Sequence, residues 1–256
     1  MTAVLTEAAP RTVLLLALAD DELITGHRAA HWTGVAPTIE EDLAFSSIAQ
    51  DEINHADVWY QLVAGHDRVA IDHLALGRAP EEYRHADLCA REPGDFAATI
   101  ARHWLYEQAD TLRLEALLES SDSDIAAVAR RLLHEERYHR AHADTWLARL
   151  AEGGEKRRRL VAAMEVAVVD APWLFEPLPG EEQLVAEGVL PVASAELLAR
   201  WVRRCAPVLA HHDLPPLRTP ADMSTPAGRH GIHGPEFSAL WEEMTGLHRA
   251  HPGMRW

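Results

Sequence analysis

The sequence predicts an all-α fold. Long stretches rich in Ala, Leu, Glu and Arg, against only four Phe and four Tyr, favour helix over sheet. Within those stretches apolar residues recur with a period near 3.6, and Pro, Gly and capping acids fall between them. Almost no strand is expected. At 256 residues and 48% apolar content the chain is long enough to bury a substantial core.

The period places a first helix at about 10–32, ending near Gly34, and a second at about 38–66, with Pro37 and Thr38 where it should begin. Residues 67–94 carry Gly77, Pro80, Pro93 and Gly94 and read as a long crossover. Asp95 is the expected N-cap of a third helix over 96–119. A short break at 120–122 leads to a fourth helix over 123–151, which Gly153 and Gly154 stop. Two helix pairs with tight internal turns and one long crossover have the connectivity of a ferritin-like four-helix bundle. Extra C-terminal helices are expected at about 155–169, 194–210 and from Pro235 to about 249, with loops at 172–191 and 213–234. The expected organisation is a single domain over 1–256, with its four-helix core at 10–151 and a helical extension over 155–256.

A formal charge of −16, from 40 acidic against 24 basic residues, argues against a nucleic-acid backbone or an anionic membrane as partner. The two cysteines, Cys89 and Cys205, supply neither a disulfide framework nor a thiolate metal site, so the cytoplasm fits best. Arg11 and the apolar run 13–19 faintly resemble a signal peptide, but the helical pattern continues to Ala30 and the first ten residues carry no Lys or Arg. No stretch approaches the roughly 20 apolar residues of a membrane span.

The chemistry resides in two copies of E-x-x-H, Glu52 with His55 and Glu136 with His139. Positions i and i+3 share a helix face, so each pair can present a carboxylate and an imidazole to one metal. The motif alone is weak. A third copy, Glu82 with His85, follows Pro80 in the crossover and reads as an accident of composition.

Phase is the stronger argument. Phe45, Ile48, Glu52, His55, Trp59 and Leu62 form one stripe of the second helix, and Leu132, Glu136, His139, Ala143 and Trp146 one stripe of the fourth. Glu22 is in phase with Leu15, Leu18, Gly26 and Ala29, and Glu107 with Ile100, His103, Thr111 and Leu114. Four carboxylates facing one core could hardly ionise together, whereas two divalent cations would cancel their charge. One Glu from each of two helices and E-x-x-H from each of the others is the ligand set of dimetal carboxylate bundles. Glu22, Glu52, His55, Glu107, Glu136 and His139 are therefore the candidate metal ligands. Oxygen and imidazole donors suit iron or manganese.

Asp51 and Glu135 precede the two motifs and are candidates to accept the outer N–H of His139 and His55 respectively. His103 and Tyr106 read as packing near the site, and Trp59, Trp104 and Trp146 as core. The run 156–159 (Lys-Arg-Arg-Arg) reads as a solvated helix face. For His211, His212, His230 and His233, in Pro/Gly-rich loops, spacing does not separate a metal site from polar surface.

Over nearly its whole length the chain resembles the ring-epoxidising phenylacetyl-CoA monooxygenase family of phenylacetate catabolism, and in particular its C subunit. The resemblance is carried by residues 18–20, Asp42-Leu43-Ala44, Asp95-Phe96-Ala97 through Ile100-Ala101-Arg102, Arg137-Tyr138-His139 and the tail from Pro252-Gly253 to Trp256. It implies a bacterial, cytoplasmic oxygenase component that uses O2 and external electrons to oxidise an aromatic acyl-CoA. It implies partners too: a related ferritin-like subunit in a homo- or heterodimer, and a reductase. Glu22 and His55 would then hold one iron, Glu107 and His139 the other, with Glu52 and Glu136 bridging. The C subunit of that family usually lacks the ligands and acts as a scaffold, whereas this chain carries the full set, as catalytic subunits do, with spacing that also resembles the oxygenase subunit of benzoyl-CoA epoxidase. A non-catalytic scaffold is therefore the alternative reading, and iron storage a third.

Overall fold

The computed structural model describes residues 8–251, so the tail 252–256 that contributed to the resemblance lies outside the described residues. Ten α-helices and no strand occur among them, as the all-α, ferritin-like fold class requires. Among the described residues no helix is long and apolar enough to cross a membrane. The chain forms two compact units. One comprises residues up to Glu92 with 178–180 and the segment from Pro226 onward; the other comprises 93–177 and 181–225.

The first unit is organised around α1 (Pro10–Ala30) and α2 (Ile39–Ala64). Pro10 suits the first helical turn, where its missing N–H costs nothing. The short connection makes the two helices antiparallel, and Gly34 turns it with φ +83° while its N–H donates to Asp42 Oδ2 at 2.6 Å. Thr38 caps α2, its Oγ1 accepting from the Glu41 N–H at 3.3 Å. The helices approach most closely at Gly26, where an added Cβ would stand 3.0 Å from Glu52 Cβ and 3.1 Å from the Ala49 carbonyl. That glycine lies one turn beyond Glu22, so it lets the backbones close beside both acids.

The crossover expected at 67–94 contains α3 (Arg68–Leu76), capped by Asp67, a single 3-10 turn at Pro80–Glu82 and the one-turn α4 (Asp87–Ala90). Asp67 and Gly65 in front of α3 are the stop and start signals that mark it. The unit is completed by α10 (Pro235–Ala250), which packs on α3 and α4.

Buried ion pairs hold these segments on α1. Asp20 and Asp21 are both 0% exposed. Asp20 accepts from the Arg78 guanidinium, the Tyr60 hydroxyl at 2.5 Å and the Arg84 N–H at 2.7 Å. Asp21 accepts two hydrogen bonds from Arg229, at 2.9 and 2.7 Å, and one from the Ala86 N–H at 2.9 Å. Burial next to Asp20 pushes the Tyr60 hydroxyl well above the usual tyrosine range.

In the second unit α5 (Phe96–Leu117) occupies the centre, packed against α6 (Ser123–Ala151), α7 (Gly154–Asp170) and α9 (Ser194–His211). Asp95 caps α5 through the Ala98 N–H at 2.9 Å, and Asp122 caps α6 through the Asp124 and Ile125 N–H groups. Trp104 Nε1 and Gln108 Nε2 both donate to Asp144 Oδ1, at 2.8 and 3.2 Å, and fix the register of α5 on α6. A short helix, α8 (Glu181–Ala186), stands inside the stretch expected to be loop. At six residues, between Pro/Gly-rich flanks, it offers too little periodicity to read. Trp59 and Trp104 are core as expected, but Trp146 is only half-buried, edge-on to Phe96 with ring centroids 4.8 Å apart. Of the basic run, Lys156, Arg158 and Arg159 lie exposed and pair with nearby acids, whereas Arg157 donates to the His212 carbonyl at 2.7 Å and ties down the loop after α9. Cys89 and Cys205 are both buried thiols, and burial pushes that of Cys205 up to about 12.

Gly26→Ala gains about 1 kcal/mol of helix propensity, yet overpacking against Glu52 and the Ala49 carbonyl costs about 1–3 kcal/mol. The expected net is a loss of about 1 kcal/mol in thermal melts, and a stabilised variant would show that the interface yields. Arg78→Ala leaves Asp20 without its guanidinium and is expected to cost about 3–5 kcal/mol, or roughly 10 °C in Tm. The pair Asp20→Asn with Arg78→Met should recover part of that loss. A double variant no more stable than the single one contradicts this account.

Candidate metal centre

The ligand candidates of the first unit lie on the facing sides of α1 and α2. Glu22 is 1% exposed, and Glu52 and His55 are 0% exposed. Their ligand atoms fall within 4.8 Å of one another, with His55 Nδ1 at 3.9 Å from Glu22 Oε2. The neighbouring acids Asp20 and Asp21 are each matched by an arginine, while the group facing Glu22 is an imidazole.

The second unit repeats the arrangement on α5 and α6. Glu107, Glu136 and His139 are buried, and their ligand atoms also fall within 4.8 Å of one another. His139 Nδ1 stands 3.2 Å from Glu136 Oε2. His103, read from sequence as packing, stands beside this cluster: it is buried, with Nδ1 at 3.2 Å from Glu107 Oε1 and Nε2 at 3.4 Å from His142 Nδ1. The signal was its place one turn before Glu107 on the same stripe, together with His142 one turn after Tyr138 on the facing helix. Burial, then the neighbouring His142 and His139, push the His103 imidazole well below the usual histidine range.

Both clusters fit a metal. Two ligand atoms each about 2.1 Å from one ion stand roughly 3–4 Å apart, the range of the 3.2 and 3.9 Å separations here. Two carboxylates within 4.8 Å at this burial repel each other, and a divalent cation between them removes the repulsion. Hard oxygen donors with imidazole and no thiolate match iron or manganese. Asp51 is half-buried on α2, and Glu135 on α6 faces Arg131 at 3.5 Å.

A pocket of about 190 Å³ opens in the second unit against Glu136, lined by Thr111, Glu115, Leu133, Arg137 and Arg140. The third E-x-x-H does not act as a ligand pair, because Glu82 turns back to accept from the Ala79 N–H at 2.7 Å.

Comparison with known proteins agrees with the sequence resemblance. A family model described as phenylacetic acid catabolic protein matches residues 3–256. The chain is 28% identical over 254 residues to the C subunit of the 1,2-phenylacetyl-CoA epoxidase of Escherichia coli (strain K12), covering 96% of this chain and 98% of that protein.

His85 and His103 are both buried and held below their ordinary pKa of 6.5. The unfolded chain therefore takes up protons that the folded chain resists. Stability is fully present above about pH 7 and is expected to fall as pH drops through 6.5 toward 5, by up to about 1.4 kcal/mol per pH unit for each site. Denaturant melts of chelator-treated protein at about pH 5 and 7 measure it. His103→Asn should flatten the difference, and a wild-type chain equally stable at both pH values counts against the account.

Proposed function

This chain belongs to the phenylacetic acid catabolic protein family, and from that premise we propose that it is the di-iron component of a multicomponent monooxygenase. It acts with O2 on an aromatic acyl-CoA of the phenylacetyl-CoA type, in the cytoplasm. The observation that carries this reading is the burial of a Glu with a Glu-x-x-His in each unit, Glu22 with Glu52 and His55, and Glu107 with Glu136 and His139. In this reading the two clusters form the halves of one centre within a single domain over 1–256. Its four-helix core spans 10–151, and 155–256 extends it. Glu22 and His55 would hold one ion and Glu107 and His139 the other, with Glu52 and Glu136 contributing to both. Asp51 is assigned to the outer N–H of His139 and Glu135 to that of His55, fixing the tautomer that presents a lone pair to the metal. Manganese fits the same donors.

When bound, the two irons supply the reductive activation of O2, with electrons from a separate reductase. The residues of the chain do the rest. The four carboxylates would balance the charge of the ions. Ile48, Trp59, Leu132 and Ala143, all fully buried, keep water from the ligand stripes. The pocket of about 190 Å³ beside Glu136 has room for a substituted benzene ring. Arg137 and Arg140, which line it, suit the phosphate-bearing end of an acyl-CoA. A related ferritin-like protein, as a homo- or heterodimer partner, completes the assembly.

The similarity to the C subunit of an epoxidase favours a second reading, a non-catalytic protein that scaffolds a separate catalytic one. Elemental analysis of protein from iron-replete cells distinguishes the two. The expected result is close to two irons per chain, lost in Glu52→Ala/Glu136→Ala together with oxidation of phenylacetyl-CoA in the presence of a reductase. A metal-free chain that still stabilises a separate catalytic partner would establish the scaffold instead.

A further inference from the structure

We propose that His85, Asp87 and His233 form a second metal site, separate from the carboxylate clusters, that takes a divalent cation of the zinc class. All three residues belong to the first unit, and one ligand atom from each lies within 4.8 Å of the others.

Three observations carry the inference. First, His85 is 0% exposed, and neither of its ring nitrogens has a hydrogen-bond partner. A neutral imidazole carries one donor and one acceptor, and leaving both unmet at this depth costs on the order of a few kcal/mol; an ion bound to the lone pair would offset the acceptor's share.

Second, His233 is oriented as a metal ligand is. Its side chain is 4% exposed, and Nε2 stands 3.1 Å from the Tyr83 carbonyl. A carbonyl only accepts, so Nε2 carries the proton, and Nδ1 turns its lone pair toward Asp87 Oδ1 at 3.6 Å. Lone pair against carboxylate is repulsive and the separation is too long for a hydrogen bond. It is the spacing of two donors on one ion, and a backbone carbonyl on the outer nitrogen is the usual support of a metal-bound histidine.

Third, the backbone builds the site rigidly. A Cβ on Gly228 would stand 2.3 Å from the His85 carbonyl, and one on Gly231 would stand 2.1 Å from the Glu81 carbonyl, so the loop carrying His233 lies directly on the segment carrying His85 and Asp87. Arg229 anchors that loop to Asp21 and to the Arg84 carbonyl at 3.0 Å. The cations nearest His85, Arg229 and Arg78, already face carboxylates of their own, Asp21 and Asp20. Asp87 is thus left as the anion for an incoming ion. Two imidazoles and one carboxylate, with water in the fourth position, make a common tetrahedral zinc set. The rings stack at 4.0 Å and 3° between planes. Parallel rings cannot direct their in-plane lone pairs at one point, so binding tilts one ring out of the stack.

Zinc alone is the probe, added to the full chain and to Glu52→Ala/Glu136→Ala, then desalted and measured by elemental analysis. One zinc per chain should persist in the double variant and disappear with His85→Gln or His233→Gln in that background. Asp87→Asn, at a side chain more than a third exposed, is the variant least able to disturb folding and should weaken zinc affinity by about tenfold or more. Uptake unchanged by all three substitutions overturns the site. Absence of zinc uptake by the folded chain overturns it as well.

Discussion

Three consecutive acids, Asp20, Asp21 and Glu22, lie inside the first unit at 0–1% exposure, and much of the molecule is arranged around that fact. On a helix, consecutive residues point about 100° apart, so one run sends carboxylates in three directions. Each direction must be answered, because an unanswered buried carboxylate costs several kcal/mol. Arg78 from the crossover answers Asp20, and Arg229 from the distant C-terminal loop answers Asp21. The backbone N–H groups of Arg84 and Ala86 complete the two sets. The short segments that carry Arg78, Arg84, Ala86 and Arg229 are thereby fixed on α1. Glu22 points the third way, to His55, where no guanidinium faces it but an imidazole.

The second unit solves the same problem with different residues. Helix α5 is buried over most of its circumference, and its polar side chains are met locally: Asp110 by Arg113 at 2.9 Å, Trp104 and Gln108 by Asp144. Glu107 again is left to imidazoles, His103 among them. In each unit a nearly all-buried helix supplies the single Glu, and a helix with one buried stripe supplies Glu-x-x-His. The division follows from packing. Only a residue on a helix surrounded by others can be fully desolvated at any position, whereas the motif needs a single face.

Much of this was legible in the sequence. Helix ends marked by a side-chain cap or a glycine were visible within about two residues, as at Asp95, Asp122 and Gly153. The ligand stripes were visible because acids and histidines kept phase with leucines. Three kinds of feature escaped. Short helices such as α3, α4 and α8 are fixed by tertiary contacts and carry too few turns to show a period. His103 was masked by its phase, which is the phase of a core residue. The burial of His85 and His233 depends on distant segments of chain being brought together by Arg229 and Asp21, and no local pattern encodes such a pairing. The same long-range closure explains why the Glu82-x-x-His85 motif is irrelevant as a helical pair while its histidine is buried.

The ligand stripes also bear on the relation to the C subunit of an epoxidase. In the proposed reading the six ionisable side chains stand in the core because they hold metal. Replacing a buried charged set by apolar residues of similar volume is commonly neutral or stabilising by about 1–4 kcal/mol. Losing one member leaves the others uncompensated, so a decaying site passes through costly intermediates toward an apolar core. Here each unit buries carboxylate and imidazole at 0–2% exposure, and Ile48, Trp59, Leu132 and Ala143 of the same stripes are fully buried. Cores of this kind persist where a bound cation returns the desolvation energy of its ligands. On the proposed reading, the side chains that would make this chain an oxygenase component are also the ones whose desolvation a bound cation would offset.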